Sequence, residues 1–127
     1  QPLILADGSH NPQGMQATVE SLRQYFPEKK LQFVFGAMAD KELDVMIPMF
    51  LPLAKKVYIT APSMPRAMKP EALADVCKKH CGEAHIEFVI CTTPKEAYDY
   101  AKMQGKEEVI VVIGSLYLVG EIKQVSV

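Results

Sequence analysis

The stretch "EEVIVVIG", residues 107–114, decides the reading of this chain. After two acids it runs apolar for five residues, all β-branched, with no polar residue between them. A strand with one wet face would alternate. This run therefore predicts a strand covered on both faces, as in a parallel sheet.

Working outward, the same signal recurs four times. "LILA" (3–6), "LQFVFGA" (31–37), "KVYITA" (56–61) and "HIEFVIC" (85–91) are short β-rich runs. Helical periods separate them. Residues 12–26 place Met15, Val19, Leu22 and Phe26 on one helical face. Residues 41–53 place Leu43, Met46, Ile47 and Phe50 on another, with Pro48 and Pro52 predicting a bend or an early end. A third helix is expected over 70–81. A fourth lies within "TTPKEAYDYAKMQG", with Thr93 as cap, Pro94 at the first helical position and Gly105 as stop. The closing segment, "SLYLVGEIKQVSV", fits a short helix after Ser115 or a last strand.

Five β-α alternations predict a three-layer, Rossmann-like α/β domain. Its central sheet is expected to be mostly parallel, with five to six strands and right-handed crossovers. The 127 residues suit one domain, and no linker or repeat divides them. The chain starts on Gln1 and enters a strand almost at once, which suggests a piece of a longer protein.

Composition narrows the function. Fourteen Lys and Arg oppose fifteen Asp and Glu, for a net charge of −1. Such a balance gives no general attraction to nucleic acid or to anionic membrane. No apolar run reaches the ~18 residues of a membrane span, and the start lacks a signal-peptide pattern. Three cysteines without a disulfide framework fit a reducing, cytoplasmic compartment.

In an open α/β sheet, ligands bind beyond the carboxyl ends of the strands. The strand-end segments are 7–12, 36–40, 60–66, 91–93 and 114–117, and parallel strands would bring them to one rim. The first reads "DGSHNP". Helix capping explains Asn11 and Pro12, and Asp7 can bond loop amides. Capping does not require His10. A carboxylate at a strand end can also accept hydrogen bonds from ribose hydroxyls, so Asp7 has both a structural and a ligand reading. Arg66, in "MPRAMKP", can clamp a carboxylate or phosphate or stay a solvated loop residue. Lys41 follows Asp40, read here as a helix cap. Ser115 caps the last segment if that segment is a helix.

Two motif classes fare poorly. Neither GxGxxG nor GxxxxGK[ST] occurs, so the usual glycine-rich phosphate cradles are missing from these residues. "CKKHCGEAH" (77–85) offers Cys77, His80, Cys81 and His85 as zinc ligands. The spacing of Leu73, Val76, Cys77 and His80 instead describes a helix face, and no second ligand pair follows. No metal is expected here.

Four segments resemble a known family. "ADGSHNPQG" is similar to the "DGAHNP" signature of folylpolyglutamate synthases, with Ser9 for the usual alanine. "GAMADKE" resembles that family's "G…DKD" segment, "PRA" (65–67) its arginine-containing loop, and "VIGSLYLVGEIK" its closing segment. Peptidoglycan Mur ligases more often read "DYAHNP", whereas Gly8 stands here in place of that tyrosine.

The resemblance covers essentially the whole chain, but only as a carboxyl-terminal domain. It implies an ATP-dependent ligase in which ATP phosphorylates a folate carboxylate and the amine of L-glutamate attacks the acyl phosphate. Dihydropteroate is the acceptor if dihydrofolate synthase activity is also present. ATP phosphates and magnesium would be held mainly by an amino-terminal ATPase domain, with a P-loop that these residues lack. An arginine just upstream of "DGAHNP" would also lie outside them. Carried over by motif, Asp7 would bind the ribose side of ATP. His10 would lie near ATP or glutamate with a binding or catalytic role, and Ser115 would meet glutamate. Lys41 and Arg66 are further rim cations for a dianionic amino acid. The expected protein is a cytoplasmic monomer, inactive as this domain alone. A peptidoglycan Mur ligase domain and a non-catalytic α/β binding module are the competing readings.

Overall fold

The computed structural model describes residues 1–126. In chain order it forms β1 (Leu3–Ala6), α1 (Pro12–Tyr25), β2 (Leu31–Phe35), α2 (Leu43–Phe50) and a 3₁₀ turn (Leu51–Leu53). It continues with β3 (Ala54–Ile59), α3 (Pro70–Lys79), β4 (Glu87–Ile90), α4 (Pro94–Lys102), β5 (Val109–Ile113) and α5 (Leu116–Val125). The strands form one sheet in the order β1-β5-β2-β3-β4. Every neighbouring pair is parallel.

The all-apolar β5 therefore lies inside the sheet, between β1 and β2, and all five of its residues are buried. Strand alternation divides its side chains and those of its neighbours between two cores. Phe33, Phe35, Val57, Ile59, Val111 and Ile113 pack with α1, α2 and α3. Val34, Tyr58, Ile110 and Val112 pack with α4 and α5. Three layers result, as expected from the β-α alternation.

Local chemistry sets most boundaries. Thr93 Oγ1 accepts the Glu96 N–H at 3.1 Å and caps α4, with Pro94 at the first position. Pro48 lies inside α2, which stops at Phe50 and tightens into the 3₁₀ turn containing Pro52. The undecided closing segment is helical. Ser115 Oγ accepts the N–H groups of Tyr117 at 3.1 Å and Leu118 at 3.3 Å, and Leu118, Val119 and Ile122 supply the buried face. One expectation is corrected: Asp40 caps nothing. The residue before α2 is Glu42, which makes no side-chain cap bond, and Asp40 turns toward another loop.

The chain steps from β1 through β4 with α1, α2 and α3 on one face, then returns to β5 and places α5 on the other face. Connections leaving β5 and those leaving its two neighbours diverge to opposite faces. That divergence opens a crevice at the carboxyl end of the sheet.

Candidate functional site

The loop after β1 is tied into the sheet before it starts α1. Asp7 N–H donates to the Val112 carbonyl at 2.8 Å, and Gly114 N–H donates to the Ser9 carbonyl at 2.9 Å. Asn11 Oδ1 accepts the Gly14 N–H at 2.7 Å and Pro12 opens the helix, so both act as capping residues. Asp7 turns inward. Its Oδ1 accepts from the Ser9 N–H at 3.0 Å and the Ser9 hydroxyl at 2.6 Å, and its Oδ2 accepts from the Thr18 hydroxyl at 2.8 Å. Ser9 and Thr18 are buried and their hydroxyls lie against each other. The loop then presents His10. Its Nδ1 donates to the Gly8 carbonyl at 2.9 Å, which leaves Nε2 as the free ring nitrogen.

The loop after β5 comes close enough to the other loops to demand glycine. Gly114 has φ +107°, and a side chain there would strike the Gly36 carbonyl and the Phe35 ring. Gly8 packs under Leu116, the first residue of α5.

The loops after β2 and β3 are joined by main chain. Ala39 N–H donates to the Arg66 carbonyl at 2.8 Å and Met68 N–H to the Ala37 carbonyl at 2.9 Å. Met38 and Ala67 form an antiparallel bridge. Across this junction Arg66 Nη2 donates to Asp40 Oδ2 at 2.6 Å.

These segments enclose a cleft of about 510 Å³ that gathers His10, Lys41, Arg66 and Ser115. Met38, Met64, Pro65, Leu116 and Tyr117 give it apolar walls. Lys41 makes no ion pair among the described residues, so the cleft carries one free ammonium and one guanidinium held only by an exposed partner. Two cations over an apolar floor suit a small ligand with more than one carboxylate or phosphate group.

Four of the five singled-out residues therefore share one cleft. Asp7 lies apart, in a hollow of about 340 Å³ between β1 and α1 that also includes Leu5, Thr18 and Tyr25. Segment 91–93 is also absent from the cleft. It ends β4, the edge strand, which β3 separates from the crevice, and Thr93 instead caps α4. The apolar walls were hidden in the sequence because methionine, leucine and tyrosine near strand ends read as core. Asp40 was hidden because its partner is 26 residues away.

Of the cysteine and histidine residues of segment 77–85, Cys77 and Cys81 pack on the same core cluster and His80 bonds to Asp44. Cys77 is buried in the core of the α1–α3 face, which pushes its thiol up to about 12. His80 Nε2 donates to the Asp44 carboxylate at 2.7 Å, joining α3 to α2. Among the described residues, no three His, Cys, Asp or Glu side chains are grouped to hold a metal.

The fold and cleft define a three-layer α/β domain whose candidate site lies where the strand order reverses. Its sequence carries the identification further: the chain belongs to the Mur ligase glutamate ligase domain family, whose model matches residues 1–116. It is 32% identical over 124 residues to the folylpolyglutamate synthase of Lacticaseibacillus casei, covering 97% of this chain and 27% of that protein. It is 25% identical over 126 residues to the dihydrofolate synthase/folylpolyglutamate synthase of Bacillus subtilis, again covering 97% of this chain and 27% of the relative. The chain thus spans about a quarter of the length of these curated relatives. Among solved structures it resembles a Mycobacterium tuberculosis folylpolyglutamate synthase complexed with ADP and AMPPCP. The TM-score is 0.82 at 25% identity, covering 95% of this chain and 29% of that one. The folylpolyglutamate synthase of Thermotoga maritima gives 0.76 at 28% identity, covering 93% and 26%.

Proposed function

We propose that residues 1–127 form the glutamate-ligase domain of an ATP-dependent folylpolyglutamate synthase, with or without dihydrofolate synthase activity. The observation that carries this reading is the convergence of His10, Lys41, Arg66 and Ser115 on one cleft at the reversal of the sheet. Relatives of the same printed activity, matched over nearly the whole chain, support it.

In this reading the cleft holds the incoming L-glutamate. Lys41 and Arg66 meet its two carboxylates, and Ser115 and His10 orient its amine toward the activated carboxyl of the folate or dihydropteroate. Correct placement of these groups supplies much of the rate, and closure against a second domain excludes water. ATP supplies the phosphoryl group that activates the folate carboxylate. We assign the ATP phosphates and magnesium to an amino-terminal ATPase domain, because these 127 residues contain no glycine-rich phosphate loop. The resemblance gives Asp7 to the ribose side of ATP. The engagement of both its oxygens supports a role exerted through the loop that carries His10. Among the described residues no helix is long and apolar enough to cross a membrane. From the family resemblance we place the protein in the cytoplasm, as a monomer.

The test is an assay of the full-length protein with ATP, magnesium and L-glutamate. Dihydropteroate, tetrahydrofolate and a muramyl peptide serve as alternative acceptors. Glutamate transfer to a folate is expected, together with no turnover by the 127-residue chain alone. Ligation confined to the muramyl peptide overturns the folate reading, and turnover by the isolated chain overturns the division of labour between domains.

A further inference from the structure

Asp40 and Arg66 reach toward each other from two loops at the mouth of the cleft, and both stay largely in water, at 51% and 70% side-chain exposure. Two observations separate this pair from an ordinary loop fastening. The loops do not depend on it, because two main-chain hydrogen bonds, Ala39 to Arg66 and Met68 to Ala37, already join them as the Met38–Ala67 bridge. The main chain at Arg66 is therefore held at the cleft by bonds other than the Asp40 pair. The pair is also weak, since exposed ion pairs contribute little against solvent and side-chain entropy.

The chemistry of the pair is that of the ligand proposed above. Arg66 presents a planar fork of donors that suits a carboxylate, and a carboxylate from the protein's own chain already takes one of its nitrogens. Lys41, beside Asp40 in sequence and in the same cleft, stays free of ion pairs among the described residues. The resting cleft therefore has one cation occupied by a tethered carboxylate and one open.

We propose that Asp40 is an internal stand-in for a substrate carboxylate. It holds the Arg66 guanidinium until a dicarboxylic amino acid enters and displaces it. The inference deepens the glutamate reading and rests on it. A ligand with one carboxylate only exchanges one Arg66 partner for another. A ligand with two also gains Lys41, and this difference selects glutamate over its side-chain amide. Asp40 thus sets how tightly the cleft takes its ligand, by competition for Arg66, while Lys41 sets the preference for a second carboxylate.

The experiment measures steady-state kinetics of full-length Asp40→Asn and Asp40→Ala with L-glutamate and L-glutamine. Both variants should lower the KM for L-glutamate by about two- to fivefold, the range set by opening an exposed ion pair, with kcat and melting temperature unmoved. The preference for L-glutamate over L-glutamine should stay unchanged, because both ligands displace Asp40 through one carboxylate and differ only at Lys41. In an Arg66→Ala background the substitution at Asp40 should lose its effect. An unchanged or raised KM, with wild-type ligation intact, overturns the role of Asp40 and leaves the glutamate reading standing. Failure of the wild-type protein to ligate glutamate overturns that reading and takes this inference with it.

Discussion

Two aspartates stand past the two strands that flank β5, and the fold uses them in opposite ways. Asp7, after β1, turns under its loop and accepts three hydrogen bonds from Ser9 and Thr18. Asp40, after β2, turns out to the cleft and makes one exposed ion pair. The difference comes from what each chain does next. The loop after β1 leads directly into α1, so Thr18 on that helix lies over the strand end and closes around the carboxylate. The loop after β2 is fastened to a second loop by main chain and leaves Asp40 exposed. The same residue type is a brace in one place and a displaceable counter-charge in the other.

The comparison breaks most easily at Asp7. Replacing it with alanine leaves the buried Ser9 and Thr18 hydroxyls without their shared acceptor. The expected cost is about 2–3 kcal/mol, read by chemical denaturation. From sequence alone, the same substitution would raise the KM for ATP with little loss of stability. An undiminished unfolding free energy in Asp7→Ala would restore that view and remove the brace.

A smaller effect is expected from Ser9→Ala, which installs the alanine usual in the resembled signature. The loop keeps the Asp7–Thr18 bond and loses the 2.6 Å bond from Ser9. A loss of about 1 kcal/mol is expected, again by denaturation. If Ser9→Ala costs as much as Asp7→Ala, the serine rather than the aspartate organises the loop.

The smallest effect concerns a third aspartate, Asp44, which is exposed like Asp40 and bonded to His80 and Lys79. Bonds from His80 first, then Lys79, hold its carboxyl below the usual carboxylate range. A carboxyl lowered in the folded state stabilises the fold above its unfolded pKa. That contribution fades as pH falls through the lowered folded value. Asp44→Asn should therefore leave stability at pH 7 nearly unmoved and flatten its decline below about pH 4, as followed by thermal melts. An unchanged acid limb would show that exposed pairs on this rim carry no measurable linkage.

Much of the fold was legible in the chain, and particular residues show why. "VIVVI" lacks alternation because both faces of β5 are covered, and that single property announced a parallel sheet. Thr93, Pro94, Asn11 and Pro12 act through neighbours three or four residues away, so their capping could be read locally. His10, Lys41, Arg66 and Ser115 could be nominated because the rule that places ligands at strand ends needs only strand positions. Asp40 could not be read correctly. A cap is a local event, whereas its bond to Arg66 depends on two loops meeting.

The sequence by itself determined the alternation of strands and helices, the sheet's parallel sense and the segments that form the rim. These follow from periodicity and from short-range hydrogen bonding. Only the tertiary structure decided that β5 enters between β1 and β2, that Asp7 faces inward, and that Asp40 pairs with Arg66. Strand order and loop pairing depend on contacts between residues far apart in the chain, and periodicity carries no information about which distant partner a segment will meet.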